Sequence, residues 1–283
     1  MPSQLDAMFD ALDDQIKLTD EEGAAFNSRA NAIGAVLKRS GSVRDCAVVG
    51  SISRSTAIRD TSDVDVLAVV TGPDATVARA PRQVMAEIAR ALAESYPEPV
   101  IGNIAVSLVF EDNPSVDVIP ALQVPEQQGV YMIPSPDGES WQTFAPEALN
   151  SLVEQSVNRL GPRFLHLVRL LKRWNHSRKV GLASSDIEEL ACAATRGDTV
   201  IASYPGDILK VLTLAFRWLH GDKRAEELMD RAYNGQYPAQ KVAAAIASSL
   251  PSVEALAESP FNTGPSPHVL KEFFGGELSN YVD

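Results

Sequence analysis

Two aspartates, Asp63 and Asp65, stand at the head of the apolar run VDVLAVV. On a β-strand, positions i and i+2 share a face. The spacing therefore predicts two carboxylates side by side, with Val64 and Val66 turned the other way. Adjacent like charges repel unless a cation sits between them, and ligands made only of oxygen suit Mg²⁺ or Mn²⁺. Upstream, Val48-Val49 closes another apolar run and Gly50-Ser51 opens a polar segment long enough for one or two helical turns. A Gly-Ser turn at a helix start offers backbone N–H groups to a phosphate. The stretch GSISRSTAIRDTSDVD thus sets a phosphate seat beside a two-carboxylate metal site, the outline of a nucleotidyl-transfer centre. Such chemistry with two metals calls for a third carboxylate. Asp117, in Val116-Asp117-Val118-Ile119-Pro120, supplies one. Taken alone it reads equally as a residue on the solvent face of a strand; the context of the first motif favours a ligand.

The remaining candidates each have two readings. Ser51 would hold a triphosphate through its hydroxyl and backbone N–H, and would also cap the short helix; the two roles are compatible. Thr56 is a further nucleotide-binding candidate. Arg54 reads as a surface charge or a phosphate ligand. In RLLKRWN, Lys172 belongs to a basic helix face or reaches across a cleft to the β- and γ-phosphates as a compact point charge. Ser184 and Ser185 precede a helix whose N-terminus could face the same phosphates. Ser185 is also explained as a cap, through a capping box with Glu188. The four histidines, His166, His176, His220 and His268, lack metal-ligand spacing and read as structural or surface residues.

The elements that must position these groups follow from periodicity. Leu5, Met8, Phe9, Leu12 and Ile16 predict a helix over 4–16. Thr19-Asp20-Glu21-Glu22 is a capping box opening a long spine helix that ends near Ser40-Gly41 and feeds a strand over 43–49. Thr71-Gly72-Pro73-Asp74 reads as a turn and helix start, with a helix over Val77–Glu94. Strands over 103–110 and 115–119 flank the turn Glu111-Asp112-Asn113-Pro114 and are close enough for a hairpin. Residues 120–146, rich in Pro and Gly, read as an irregular connection between two lobes. Beyond them everything reads as helical: about 147–159, 162–178, from Ser185, from Pro205 to His220, and shorter helices to the end. The expected domains are 1–40 (N-terminal helices including the spine), 41–145 (a nucleotidyltransferase core) and 146–283 (a helical lobe). The fold class is α+β, a mixed sheet with flanking helices plus an all-helical second lobe.

The 283 residues are enough for one large domain or two modest ones. A net charge of −12 argues against a large nucleic-acid surface but leaves room for a local basic cleft. Cys46 and Cys192, without a CxxC pair, read as thiols in a reducing compartment. The N-terminus lacks the basic start and apolar core of a signal peptide, and no apolar run reaches transmembrane length. The expectation is a cytoplasmic protein that does not engage a membrane.

The pattern GSISRSTAIRDTSDVDVLAVV followed by VDVIPA resembles the polymerase-β-type nucleotidyltransferase superfamily. YMIPSPDGESWQTFAP, RLLKRWN and SSDIEELA are similar to the bacterial cyclic GMP-AMP synthase/DncV-like nucleotidyltransferases, in particular the short CdnE-like forms. The resemblance covers about residues 20–220. It implies a palm-like sheet and a helical lobe with the active site between them. It also implies a triad of Asp63, Asp65 and Asp117 on two Mg²⁺ or Mn²⁺ ions, with Gly50 and Ser51 on the donor triphosphate. Lys172 and Ser184 or Ser185 would lie on the terminal phosphates. One departure is the Ser184-Ser185 pair where the family often has Ser-Tyr. Tyr131 or Trp141 would then stack on a base or pack in the core. The implied activity is joining nucleoside triphosphates into a cyclic di- or trinucleotide in anti-phage signalling, by a monomer upstream of an effector protein. Transfer to another acceptor (a small molecule, a protein or an RNA end) and a catalytically silent nucleotide sensor are the rival readings.

Overall fold

The run VDVLAVV is buried along nearly its whole length; it forms an interior strand of a sheet that carries buried apolar side chains on both faces. The computed structural model describes residues 4–59, 61–71, 77–111, 115–125, 127–221, 239–258, 270, 273 and 274. The chain divides into two compact units, Leu18–Asn150 and a second made of Met1–Lys17 with Ser151–Asp283.

The first unit opens with α2 (Asp20–Arg39), after α1 (Gln4–Ile16) has gone to the other unit. The capping box is present: the Thr19 hydroxyl accepts from the Glu22 N–H at 3.1 Å, and the Glu22 carboxylate accepts from the Thr19 N–H at 2.7 Å. The strands are β1 (Val43–Val49), β2 (Val64–Val70), β3 (Val100–Ile101), β4 (Val106–Leu108), β5 (Val116–Gln123), β6 (Tyr131–Pro134) and β7 (Trp141–Phe144). The order β1-β2-β5-β4-β3 is antiparallel except for the parallel pair β2/β5, and β6 and β7 extend the sheet from β5. That parallel pair needs a crossover, supplied by α4 (Pro81–Ala93) and the β3/β4 hairpin.

Alternation sorts β2 between two cores. Val64, Val66, Ala68 and Val70 join Ile33 and Leu37 of α2 and Val84, Ile88 and Leu92 of α4. Leu67 turns to the other face, with Val49, Ala121 and Ile133. Each of these Val, Leu and Ile side chains, fully buried, contributes about 1.5–3 kcal/mol.

The second unit is helical: α1, most of α5 (Pro146–Leu160), α6 (Arg163–Ser177), α7 (Ser184–Ala194), α8 (Tyr204–Gly221) and α9 (Ala239–Glu258). A charge ladder ties α1 to α6. Asp13, wholly buried, takes two bonds from the Arg169 guanidinium at 2.7 and 2.6 Å. The His166 ring bonds Asp10 at 3.1 Å, and Arg163 approaches Asp6 at 3.2 Å.

Several sequence expectations change. The two N-terminal helices do not form a unit of their own: α1 belongs with the C-terminal helices and α2 with the sheet. Residues 120–146 are not irregular, since β5 runs to Gln123 and a β6/β7 hairpin follows. Asp137 and Gly138 turn that hairpin, with Gly138 at φ +74° and the Asp137 carboxylate accepting from the Glu139 N–H at 2.8 Å. The helix expected over 77–94 begins only at Pro81, a favoured first helical residue. The expected 103–110 strand shrinks to Val106–Leu108. Among the described residues beyond α8, Ala239–Glu258 form a 20-residue helix, α9, longer than the short helices expected there. The turns expected at Gly72–Asp74 and Asp112–Pro114, and the tail from Gly275, fall outside the described residues.

Candidate active site

Strand register lines the acidic groups up in one row across the sheet. Val49 of β1 stands beside Asp65 of β2, Asp65 beside Asp117 of β5, Asp117 beside Ser107 of β4, and Ser107 beside Val100 of β3. Cross-strand partners share a face. The row lies opposite the helix-covered core, on the face that two residues further along carries Leu67 and Ile119. Asp65 and Asp117 are therefore set by the backbone ladder. Asp63 precedes β2 and is exposed, so the ladder does not fix it. Ser115 does: its hydroxyl donates to the Asp63 carboxylate, and its carbonyl accepts from the Val64 N–H at 3.0 Å.

The Gly-Ser turn folds onto this row. It begins α3 (Gly50–Ser53) directly after β1. Gly50 has φ +74°, and a Cβ there would lie 2.0 Å from Oδ2 of Asp65. Only glycine accepts both the left-handed backbone and the carboxylate at its side. Gly50→Ala is expected to cost about 1–3 kcal/mol of stability, through overpacking and the positive φ. Urea unfolding measures it. Adding Asp65→Gly should recover the steric part, so the double variant should be more stable than Gly50→Ala alone.

Thr56 lies beneath the turn rather than at its surface. It is wholly buried, and its N–H and hydroxyl reach the Ser51 carbonyl at 2.9 and 3.4 Å. Ser55, at φ +58°, makes the reversal that allows this. Arg54 donates to the Asn150 side chain at 3.1 Å, so the surface-charge reading is too bland. Arg59 ties the following loop to α2 through Glu22 at 3.0 Å.

The electrostatics ask for a cation. Burial pushes the Asp117 carboxyl up and the nearby Asp63 charge adds to that, while the Ser107 hydroxyl, donating at 2.6 Å, pulls it down. Among the described residues no three acidic, His or Cys groups converge closely enough to hold a metal by themselves. The donor set nevertheless fits Mg²⁺ or Mn²⁺: hard oxygens from neighbouring strands, crowded like charges and a turn pressed against one of them. Mg²⁺ is commonly held by one or two carboxylates plus substrate phosphates rather than by an all-protein cage, and this row suits that kind of site.

The other candidates sit in the helical unit. Lys172 is 4% exposed, and its ammonium bonds Glu188 of α7 at 2.7 Å, with Glu188 wholly buried. The basic-face reading is thereby replaced by a buried ion pair between α6 and α7. The Ser185–Glu188 capping box does not form. Ala183 is the N-cap with no side-chain bond, and Ser184 and Ser185 are exposed first-turn residues. Asn175 holds the entry to α7 instead, donating to the Leu182 carbonyl at 2.9 Å and accepting from its N–H at 2.8 Å. Trp141 packs against the larger sheet core and donates to the Arg79 carbonyl at 2.8 Å; Tyr131 packs against the smaller one. Sequence reading passed over Ser107, Ser115 and Asn175. The first two are visible only once the register is known.

Comparison with known proteins agrees with this fold. The description of a Second Messenger Oligonucleotide or Dinucleotide Synthetase domain matches residues 3–156. A curated relative, the CBASS oligonucleotide cyclase CdnC of Escherichia coli (strain KTE188), is 25% identical over 61% of this chain. The match spans 60% of that relative's own length. Among solved structures, the Bradyrhizobium diazoefficiens CD-NTase CdnG in complex with GTP gives a TM-score of 0.76 at 17% identity, covering 99% of this chain and 98% of that one. The Elizabethkingia meningoseptica CdnE cyclic dinucleotide synthase with GTP and Apcpp gives 0.58 at 15% identity, covering 81% and 97%. These likenesses support the α+β fold and do not single out the CdnE-like subtype. No described helix is long and apolar enough to cross a membrane. With the synthetase domain matched over more than half its length, the chain belongs to the Second Messenger Oligonucleotide or Dinucleotide Synthetase domain family.

Proposed function

We propose that this chain joins nucleoside triphosphates into a cyclic di- or trinucleotide with release of pyrophosphate, as a signal in anti-phage defence. The observation that carries the reading is the cross-sheet row of Asp65 and Asp117, with Gly50 folded against Asp65 and Asp63 tied beside Asp117. The family and the nucleotide-bound relatives support it. Asp63, Asp65 and Asp117 would hold two Mg²⁺ or Mn²⁺ ions. When bound, these supply the positive charge that favours attack of a ribose hydroxyl on the α-phosphorus and departure of pyrophosphate.

The chain's own residues do the positioning. The ladder fixes Asp65 and Asp117 at one level. Gly50 lets the turn approach them, so that Ser51 meets the donor triphosphate. Thr56 holds the Ser51 carbonyl and so acts on the nucleotide through the turn. Asp117, whose carboxyl burial pushes up from its ordinary value, would take the proton of the attacking hydroxyl. Ser184 and Ser185, exposed at the start of α7, would contact the terminal phosphates. Lys172 would join them only by giving up Glu188. The enzyme would act as a cytoplasmic monomer, upstream of an effector that responds to its product, without a membrane or a large nucleic-acid surface.

The test is a product analysis. The protein is incubated with the four ribonucleoside triphosphates and Mg²⁺ or Mn²⁺, treated with phosphatase and read by mass spectrometry. A phosphatase-resistant cyclic oligonucleotide is expected. Because no other acceptor is supplied, a transferase acting on a small molecule, protein or RNA end would give none.

A further inference from the structure

Resting on the reading above, we propose that Ser107 and Ser115 are positioning residues for the metal-binding carboxylates, each holding one oxygen of its aspartate and leaving the other for the cation. Ser107 donates to Oδ1 of Asp117 at 2.6 Å, and Ser115 donates to Oδ1 of Asp63. Among the described residues, Oδ2 of each aspartate carries no hydrogen bond.

The placement of the two serines argues for a built arrangement. Ser107 sits between Val106 and Leu108, which are buried in the larger core. Alternation turns Ser107 to the opposite face, where its cross-strand partner is Asp117. A valine there would satisfy the strand equally well and would leave a half-buried carboxylate without a donor. Ser115 solves a different problem. Asp63 lies outside the strand ladder, so neither register nor pairing fixes its carboxylate. Through its carbonyl Ser115 anchors the N–H of Val64, and through its hydroxyl the side chain of Asp63. One residue thereby fixes both the start of β2 and the aspartate before it. Partners of this kind tune metal sites by orienting the ligands and limiting how many oxygens each one offers.

The experiment titrates the full chain, in the presence of a non-hydrolysable ATP analogue, with Mn²⁺ and reads protein-bound ion by electron paramagnetic resonance. Ser107→Ala and Ser115→Ala are each expected to weaken Mn²⁺ binding roughly tenfold or more, with the protein still unfolding cooperatively. Ser107→Thr and Ser115→Thr, which keep the hydroxyl, should restore it. In an Asp117→Asn background, Ser107→Ala should cost little more, because the group it orients is no longer the same ligand. Wild-type affinity in the alanine variants would overturn the inference. So would an undiminished loss in the Asp117→Asn background, which would mark a merely structural role. A wild-type protein whose Mn²⁺ spectrum matches that of the free analogue complex would also overturn it, while the product assay above judges the proposed function independently.

Discussion

Asp63→Ala combined with Asp65→Ala is expected to remove nucleotidyl transfer, by roughly 10³-fold or more, while the protein remains folded. Transfer of this kind rests on positioning and charge stabilisation, with little covalent chemistry for the protein to perform. Losing two of three carboxylates removes most of the negative charge that would hold the cations. The structural cost is small by comparison. Asp63 is exposed and outside the ladder. Asp65 keeps its backbone pairing whatever its side chain, because register is set by the apolar residues on either side. Steady-state rates and urea unfolding on the same preparation separate the two effects. A double variant that turns over at the wild-type rate would remove the carboxylates from the chemistry.

Glu188→Ala is expected to destabilise the protein by about 3–5 kcal/mol, since it removes the buried carboxylate paired with the Lys172 ammonium. The effect should appear as a lower denaturation midpoint at unchanged slope. Replacing both partners, Lys172→Met with Glu188→Leu, should recover most of that loss, because well-packed apolar pairs commonly match buried ion pairs. The same double variant also decides the role of Lys172. If its ammonium contacts the triphosphate, transfer falls although stability returns. If it is only a strut between α6 and α7, transfer survives.

The acidic row was legible because its signals are local. Two aspartates at i and i+2 before an apolar run, a Gly-Ser turn after another, and a third aspartate between valines needed no knowledge of the partner strands. The Thr19 capping box was legible for the same reason. Ser107 and Ser115 were not, because each acts across a strand pair that only the register reveals. The β6/β7 hairpin was hidden by its short strands and by its prolines. Pro120 reads as a break, yet it pairs with Ala68 within β5. It stands in the interval between the residues paired to β4 and those paired to β6, where a missing N–H costs no ladder bond on that side. The Asp137-Gly138 step was a usable turn signal that the surrounding Pro and Ser obscured. SSDIEE misled in the opposite way. Its Ser-x-x-Glu spacing satisfies a capping box, but Lys172 claims the glutamate from a distance of sixteen residues in sequence.

The Asp63, Asp65 and Asp117 row with its Gly50-Ser51 turn is proposed as a metal-dependent nucleotidyl-transfer centre. Its most direct test follows pyrophosphate release from the four ribonucleoside triphosphates, with Mg²⁺ or Mn²⁺ and with chelator, in the wild type and in Asp117→Asn. Pyrophosphate is expected only with the divalent cation and only from the wild type. Release that persists in chelator, or that Asp117→Asn matches, would contradict it.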